Sequence, residues 1–311
     1  MIVVTGAAGF IGSNIVRGLN ALGRSDVLAV DNLTNGEKHL NLNALRFVDF
    51  IDKDDLFDAI SDIPTIDAIF HQGACSDTTE RNGRYMMLNN YAYSKRLLRV
   101  AEQRGAKFIY ASSAAVYGDG KNGFREDPAS EYPLNVYGFS KMVFDQHVRQ
   151  RLDRARCQIV GLRYFNVYGP QERHKGRMAS VVMHLFDQLD ASGELRLFQG
   201  SSGFRRDFIH VDDVVAVNLF FLSNATSGIF NCGTGRARSF VDIAERLRDL
   251  HGSGVLLEVP FPPDLVGKYQ RFTEAEISRL RGAGYDRPFL DLEDGVARYY
   301  ELLRSTRGYL R

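Results

Sequence analysis

The sequence predicts an α/β protein, with a doubly wound parallel sheet and a smaller mixed α/β lobe. Short apolar runs rich in β-branched residues alternate with helical patterns as far as Pro170. A glycine-rich turn at residues 6–12 joins the first of these runs to the first helix. Beyond Pro170 the alternation weakens. We therefore assign residues 1–165 and about 208–235 to the sheet domain, and about 166–207 and 236–311 to the second lobe.

Composition excludes several classes of protein. The 311 residues are 44% apolar and 25% charged, which is typical of a globular chain and argues against disorder. The 39 basic and 38 acidic residues leave a formal charge of +1, so neither a nucleic-acid partner nor a membrane surface is expected. Cys75, Cys157 and Cys232 are widely separated and lack metal-ligand spacing, which predicts reduced thiols, no bound metal and a cytoplasmic protein.

The chain opens with a strand, a glycine loop and a helix. Residues 1–5 are apolar, Gly6, Gly9 and Gly12 follow, and the helical pattern runs on to Gly23. Small residues let a backbone approach a diphosphate, and the amino end of a helix favours its charge. The order of these elements predicts a Rossmann-type dinucleotide site.

The second strand, at residues 27–30, is followed by Asp31, about twenty residues beyond the last glycine. A carboxylate there would accept hydrogen bonds from an adenosine ribose, which favours NAD. Asn32, Lys38 and Lys53, the last of which follows a third strand at residues 47–50, could instead hold a ribose 2′-phosphate. We expect NADP and leave NAD possible.

The fourth strand, at residues 68–71, runs into the small-residue loop 72–76 at the carboxyl end of the sheet, where such folds bind ligands. We expect this loop to cover the cofactor. His71 ends the apolar strand and is interpreted as a structural histidine. A helix over residues 85–104 follows, and Asn89 on it could face the cofactor.

The fifth strand, at residues 107–111, leads to Ser112 and Ser113, and a helix is predicted from about Ser140. Tyr137 and Lys141 are four residues apart, so on a helix they share one face. A neighbouring cation favours a phenolate and lowers its pKa. The pattern predicts an acid/base centre in which Ser113 orients a substrate hydroxyl.

The second half is predicted to bind the substrate. We expect a helix over residues 177–189, a strand at 195–198, and a strand at 208–211 that returns, with a helix over 214–222, to the cofactor domain. Further helices are predicted over residues 240–250, 273–281 and 290–303. Arg205 and Arg206 are the best candidates for diphosphate ligands, because a guanidinium donates two parallel hydrogen bonds.

These motifs together resemble the extended short-chain dehydrogenase/reductases that act on nucleotide sugars. The resemblance includes residues 6–12, 112–118, 137–141 and 206–213 and covers essentially the whole chain. Residues 71–76, 85–87, 163–170 and 174–180 resemble, more narrowly, the epimerases of ADP-heptoses.

The resemblance implies an NADP-dependent isomerase that inverts one carbon of a heptose carried on ADP and supplies sugar for the lipopolysaccharide inner core. It also implies a homopentamer or larger homo-oligomer, with catalytic roles for Tyr137, Lys141, Ser113 and a second base, Lys175. Implied cofactor residues are Gly6, Gly9, Phe10, Ile11, Gly12, Asp31, Asn32, Lys38, Lys53, Gln72, Gly73, Ala74, Cys75, Ser76, Asn89, Tyr137, Lys141, Val167 and Lys175. Implied substrate residues are Ser113, Asn166, Val167, Arg177, His184, Phe198, Gln199, Gly200, Ser201, Arg206 and Tyr269. Arg177 stands where the resemblance implies a serine, and Gln72 where it implies an acidic residue.

Three alternative functions stay open. A nucleotide-sugar dehydratase needs further acid/base groups after the active-site hydroxyl, and here Ala114 and Ala115 follow Ser113. A UDP-hexose 4-epimerase would differ only in its sugar pocket. A non-catalytic NADP-binding sensor would not need Ser113, Tyr137 and Lys141 together.

Overall fold

The computed structural model describes residues 1–261 and 270–311. Within these ranges seven strands form the main sheet: β1 (Ile2–Thr5), β2 (Val27–Asp31), β3 (Asp49–Asp52), β4 (Ala68–His71), β5 (Lys107–Ser113), β6 (Ile159–Tyr164) and β10 (Gly228–Cys232). Their order across the sheet is β10-β6-β5-β4-β1-β2-β3, and each pair of neighbours is parallel. The predicted doubly wound α/β fold is confirmed.

Helices cover both faces of this sheet because both faces are apolar. The helices that run along it are α1 (Phe10–Ala21), α2 (Leu56–Ala59), α3 (Gly83–Met87), α4 (Tyr93–Arg104), α5 (Val136–Arg149) and α7 (Val211–Ser223). On one face α1 and α7 contribute Ile15, Val16 and Phe221 to the core, and on the other α4 and α5 contribute Leu97 and Phe144. No helix among the described residues has the length and apolarity needed to cross a bilayer.

The second half builds two small sheets and a helical layer. Its elements are β7 (Asn166–Tyr168), α6 (Val181–Ser192), β8 (Glu194–Phe198), β9 (Arg205–His210), β11 (Ala237–Ser239), α8 (Phe240–His251), β12 (Val255–Val259), α9 (Ser278–Gly282) and α10 (Leu292–Thr306). Strand β9 pairs with β7 in parallel and with β11 antiparallel, and β8 pairs with β12. Helices α6, α8 and α10 bury a separate core that includes Leu189, Leu247 and Leu303.

Several sequence expectations were wrong in detail. The strand expected at residues 208–211 in the cofactor domain is β9, which begins at Arg205 and belongs to the three-stranded sheet. Its Ile209 packs in the core of the main sheet, and the helix after it, α7, packs against α1. The third strand pairs with β2 through Asp49–Asp52, two residues later than predicted.

Two helices also begin later than expected. Residues 173–178 form a tight 3₁₀ segment in which Gly176 has φ 53°, and α6 starts after Ser180, whose hydroxyl accepts the Met183 N–H. The helix expected over 273–281 is confined to Ser278–Gly282, because Thr273 N–H instead donates to the Arg205 carbonyl at the edge of β9.

Candidate active site

The glycine loop between β1 and α1 is shaped by close backbone approaches. Gly6 has φ 69°, a conformation that glycine adopts without strain, and a Cβ there would lie 2.7 Å from Gly73 N. A Cβ on Gly12 would collide with the Gly6 carbonyl oxygen. Gly9 is the N-cap residue of the twelve-residue helix α1, so no side chain bonds the free N–H groups at the amino end of the helix. The first turn, which includes Phe10 and Ile11, carries no acidic residue. The amino end of α1 therefore suits a diphosphate, and the predicted dinucleotide cradle fits this loop.

We expect Gly12→Ala to destabilise the protein by roughly 1–3 kcal/mol and to weaken dinucleotide binding, because the new methyl group displaces the loop from α1. Urea unfolding and a titration with reduced nicotinamide dinucleotide, followed by fluorescence, measure the two effects. Gly282→Ala is the matched control, since nothing lies within 4 Å of a Cβ there. Equal stability and affinity in both variants would contradict the role given to Gly12.

Asp31 ends β2 beside the glycine loop and is already extensively bonded. One carboxylate oxygen accepts the Ala8 N–H at 2.9 Å, and the other accepts the Asn32 N–H at 2.8 Å and pairs with the Lys38 ammonium. Lys38 also donates to the Asn32 carbonyl at 2.8 Å. Lys53 lies after β3, where its ammonium pairs with Asp54. The four predicted polar residues are thus near the ends of two adjacent strands, and Lys38 neutralises Asp31.

The loop after β4 folds against β1 and the α3–α4 helical segment. Gly73 N–H donates to Thr5 Oγ1 at 3.2 Å, and the Tyr164 hydroxyl donates to Gln72 Oε1 at 3.0 Å. Ala74 and Ser76 are exposed, and Cys75 is half-buried. His71 is buried between the hydroxyls of Thr5 and Ser94, each at 2.7 Å, and burial lowers its pKa to about 3. This environment agrees with a neutral structural histidine.

Asn90, rather than Asn89, holds the loop in position. The Asn89 amide donates to the Tyr85 carbonyl of its own helix at 2.9 Å. Asn90 is buried and bonds both backbone groups of Cys75, at 2.8 and 2.9 Å, and Ser140 Oγ at 3.0 Å. A π-helical turn at Leu88–Ala92 shifts the helix register here, and Asn90 is the buried residue of the pair while Asn89 is partly exposed.

Ser113, Tyr137 and Lys141 meet where β5 ends and α5 begins. The Ser113 hydroxyl acts on the Tyr137 phenol and lowers its pKa, and the Lys141 ammonium lies 6.0 Å from the centre of the Tyr137 ring. Asn135 caps α5 by accepting the Gly138 N–H at 2.8 Å, which sets the first turn that carries Tyr137. The three residues expected to form an acid/base centre are therefore brought together.

The expected net lowering of the Tyr137 pKa is not found. Burial raises the pKa of Tyr137, and the hydrogen bond from Ser113 lowers it by less. The Lys141 ammonium donates to the Ala111 carbonyl at 2.8 Å, and burial lowers the pKa of Lys141 to about 8 against the attraction of Asp145. Desolvation of both groups thus outweighs their favourable contacts.

Lys175 lies on the 3₁₀ segment after β7. Its ammonium is 3.8 Å from Glu172 Oε2 and 5.0 Å from the centre of the Phe10 ring, at the start of α1. Glu172 is fully buried and accepts both the N–H and the hydroxyl of Ser180, at 2.7 and 2.6 Å, which anchors the segment. Burial lowers the pKa of Lys175. A lysine with this environment can exchange a proton more readily near neutral pH.

A cavity of about 710 Å³ adjoins Lys175 and contains most of the predicted substrate residues. Those that line it are Asn166, Val167, Arg177, His184, Phe198, Ser201 and Arg206, and Lys175 lines it as well. Ser113 is not among the lining residues, but its register partner is Tyr164, and Phe165 immediately afterwards lines the cavity. One wall of the cavity therefore begins directly after β6, the strand that pairs with the end of β5 at Ser113.

Other predicted contacts are not in this cavity. Gln199 and Gly200 are exposed outside it, and Arg205 points outward because side chains alternate along β9, whereas Arg206 points inward. Tyr269 lies outside the described residues. Arg177 does line the cavity, but its side chain is 71% exposed and donates to Asp77 at 2.9 Å and Thr79 at 2.7 Å, so it joins the substrate side to the loop after β4.

The cavity also includes residues that sequence reasoning missed, among them Phe204, Gln188 and Gln270. Gln270 donates to the Gly118 carbonyl at 2.6 Å, which connects the cavity wall to the loop after Ser113. These residues come from separate loops and one helix, and no local motif marks them.

Comparison with known proteins agrees with this arrangement. The chain is 55% identical over 317 residues to the ADP-L-glycero-D-manno-heptose-6-epimerase of Brachyspira hyodysenteriae, with all of both chains covered. The solved structure of the Helicobacter pylori enzyme of the same name is 32% identical, with a TM-score of 0.86 over 98% of this chain and 96% of that one.

A more distant solved structure contains a dinucleotide. The UDP-glucose 4-epimerase of Thermus thermophilus, in complex with NAD, is 26% identical, with a TM-score of 0.81 over 98% of this chain and 99% of that one. Residues 2–233 match the model of the NAD dependent epimerase/dehydratase family. The match spans the glycine loop, Ser113, Tyr137, Lys141 and Lys175, so the chain belongs to the NAD dependent epimerase/dehydratase family.

Proposed function

We propose that this protein is an epimerase that interconverts ADP-D-glycero-D-manno-heptose and ADP-L-glycero-D-manno-heptose by inversion at C6. The observation that carries the proposal is the presence of two separate, partly buried proton-transfer groups, Tyr137 with Ser113 at the sheet edge and Lys175 beside the adjoining cavity. Full-length identity to an epimerase with this name supports the choice of substrate.

Inversion at a carbon that bears a hydroxyl needs loss and return of both a hydride and a proton. A nicotinamide cofactor held by the glycine loop and the residues around Asp31 would supply a reversible hydride acceptor for C6, so turnover would produce no net redox change. Tyr137 removes the hydroxyl proton as the 6-keto group forms, and Ser113 donates a hydrogen bond that orients the oxygen. Because burial disfavours the Tyr137 phenolate, the nearby Lys141 cation and the Ser113 hydroxyl must stabilise its developing charge.

The planar ketone can then receive hydride on its opposite face. Lys175 lines the cavity, and burial lowers its pKa towards the range in which it exchanges protons. We assign it the proton transfer on the face that Tyr137 cannot serve. Arg206, which is buried and lines the cavity, is the proposed ligand of the substrate diphosphate.

We propose NADP as the preferred cofactor. Asp31 is the group that would repel a 2′-phosphate, and its ion pair with Lys38 neutralises that charge. Both of its oxygens also accept other hydrogen bonds, which reduces its capacity for ribose hydroxyls. Lys38 and Lys53 supply two cations for a 2′-phosphate on this side of the sheet.

We therefore expect Lys38→Met to weaken NADPH binding about tenfold or more and NADH binding much less, since one charge-assisted hydrogen bond contributes about 1.5–3 kcal/mol. Fluorescence titrations of wild type and variant with each dinucleotide measure this. Lys121→Met, at an exposed lysine paired with Asp119, is the matched control. An equal loss for NADPH and NADH would contradict recognition of the 2′-phosphate by Lys38.

Proton NMR of ADP-D-glycero-D-manno-heptose with the enzyme and a trace of NADP⁺ tests the proposed function. The L-glycero epimer should appear, with no net formation of NADPH. Conversion of UDP-galactose or a dTDP-hexose in place of ADP-heptose would overturn the substrate assignment and the role of Lys175. The acid/base role proposed for Ser113, Tyr137 and Lys141 would be unaffected.

A further inference from the structure

A buried carboxylate lies directly beneath the catalytic residues, and the mechanism above does not use it. Asp145 is on α5 four residues after Lys141, so the two side chains share a helix face. Asp145 is completely buried. A carboxylate in such a position is costly unless several donors satisfy it.

The donors to Asp145 come from the strand that carries Ser113. The Tyr110 hydroxyl donates to Oδ1 at 2.8 Å, and the Ser112 hydroxyl donates to Oδ2 at 2.9 Å. Tyr110 and Ser112 are two residues apart on β5 and face the same side, towards α5. Asp145 therefore bonds β5 to α5 at the level at which Ser113 leaves the sheet to meet Tyr137.

A buried arginine completes the site. Arg163 on β6 is also fully buried and donates through Nε to Asp145 Oδ2 at 2.9 Å and through Nη1 to the Tyr117 hydroxyl at 2.9 Å. It pairs in addition with Glu131, which pairs with Arg149. The negative charges of the two carboxylates balance the positive charges of the two guanidinium groups. Loss of one carboxylate therefore leaves an excess positive charge next to Lys141.

Four titratable groups face the Lys141 ammonium. Tyr137 and Asp145 lie on its own helix, Cys75 on the loop after β4, and His71 at the end of β4. Burial keeps the His71 imidazole neutral, and Tyr137 is protonated at rest because burial raises its pKa. The attraction of Asp145 is the largest influence that opposes the desolvation of Lys141, ahead of Cys75.

We propose that Asp145 is a positioning residue of the active site: its carboxylate holds β5 and α5 in register, so that Ser113 meets Tyr137, and it supplies the negative charge that keeps Lys141 cationic. The proposal rests on the roles given above to Tyr137 and Lys141. Asp145 itself touches none of the reacting groups, and it acts through Lys141 and through the strand that carries Ser113.

The decisive variant is Asp145→Asn, which keeps the shape of the side chain and an acceptor oxygen but removes the charge. We expect the pH above which kcat falls to move down by about one unit, because Lys141 loses its proton more easily. At neutral pH kcat should fall several-fold or more. Titration of Lys141 by carbon-detected NMR of protein labelled at the lysine ε-carbons, with the signal assigned from a Lys141→Met sample, should show the same downward shift.

Two matched variants separate charge from packing. Tyr110→Phe removes one hydrogen bond to Asp145 and keeps its charge, so the high-pH limit of kcat should stay unchanged while kcat falls only modestly. Asp213→Asn removes a different partly buried carboxylate, bonded to the Leu290 N–H at 2.9 Å, and should change neither quantity. An equal shift of the high-pH limit in Tyr110→Phe and Asp145→Asn would overturn the part of the proposal that concerns charge.

A wild-type Lys141 titration and pH profile in a folded Asp145→Asn protein would overturn the proposal outright. If that variant does not fold, the double variant Asp145→Asn, Arg163→Gln removes both members of the buried pair and leaves no unpaired charge behind. Lys141 should then titrate below its wild-type value, and an unchanged titration again overturns the proposal. The NMR titration needs no substrate, so it tests the role of Asp145 independently of whether the enzyme converts ADP-heptose.

Discussion

Tyr137→Phe is expected to lower the turnover of ADP-heptose by about 10²- to 10⁴-fold, the usual contribution of a positioned acid/base group. The variant loses only the phenol oxygen, whose pKa Ser113 lowers and which is the proposed acceptor of the C6 hydroxyl proton. Cofactor affinity should change little, because the glycine loop and the Asp31 region are untouched. Conversion followed by proton NMR and a NADPH titration measure the two quantities.

Tyr132→Phe is the matched control, since Tyr132 lies on the loop before α5 and is 72% exposed. It should retain wild-type turnover. Near-normal turnover by Tyr137→Phe would show that another group accepts the proton. A large loss of cofactor affinity in that variant would show that the phenol supports binding rather than proton transfer.

Lys175→Met is expected to lower epimerisation by about 10²-fold or more, because a second proton-transfer group is lost from the cavity side. In single-turnover experiments, the substitution should affect the oxidation of the two epimers differently. Reduction of stoichiometric NADP⁺ should still be seen with the epimer that Tyr137 serves and should be lost with the other. The absorbance of reduced nicotinamide, recorded with each epimer separately, tests this asymmetry.

Lys95→Met is a suitable control, since the Lys95 ammonium lies 4.1 Å from the centre of the Tyr91 ring, and neither residue lines the cavity. Equal rates of NADP⁺ reduction from both epimers in Lys175→Met would rule out a second base. The substrate would then have to present both faces of its ketone to Tyr137.

Local rules predicted the parts of the site that local geometry builds. The turn at Gly6 needs a positive φ, Gly12 needs the absence of a Cβ, and the i,i+4 spacing of Tyr137 and Lys141 follows from helical geometry. The carboxyl ends of parallel strands share one edge, so Asp31 and Ser113 could be assigned to the same side of the sheet before their contacts were known.

Two errors have a common origin. The sequence pattern pairs Arg205 with Arg206 because it does not predict the register of β9 within a separate sheet, where strand alternation separates the two side chains. It predicts a lowered Tyr137 pKa because the spacing to Lys141 shows a nearby cation but not the burial that outweighs it.

The sequence by itself determined the doubly wound sheet and predicted the dinucleotide loop and the serine, tyrosine and lysine residues at the edge of the sheet, since each of these motifs is formed by a short stretch of chain. Only the tertiary structure decided which groups raise or lower the pKa values of these residues. The network of Asp145, Arg163 and Glu131 joins a helix, a strand and a loop. The burial of Lys141 and Lys175 and the charges near them depend on segments distant in the chain, because electrostatic and desolvation energies depend on distance in space and not on distance along the sequence.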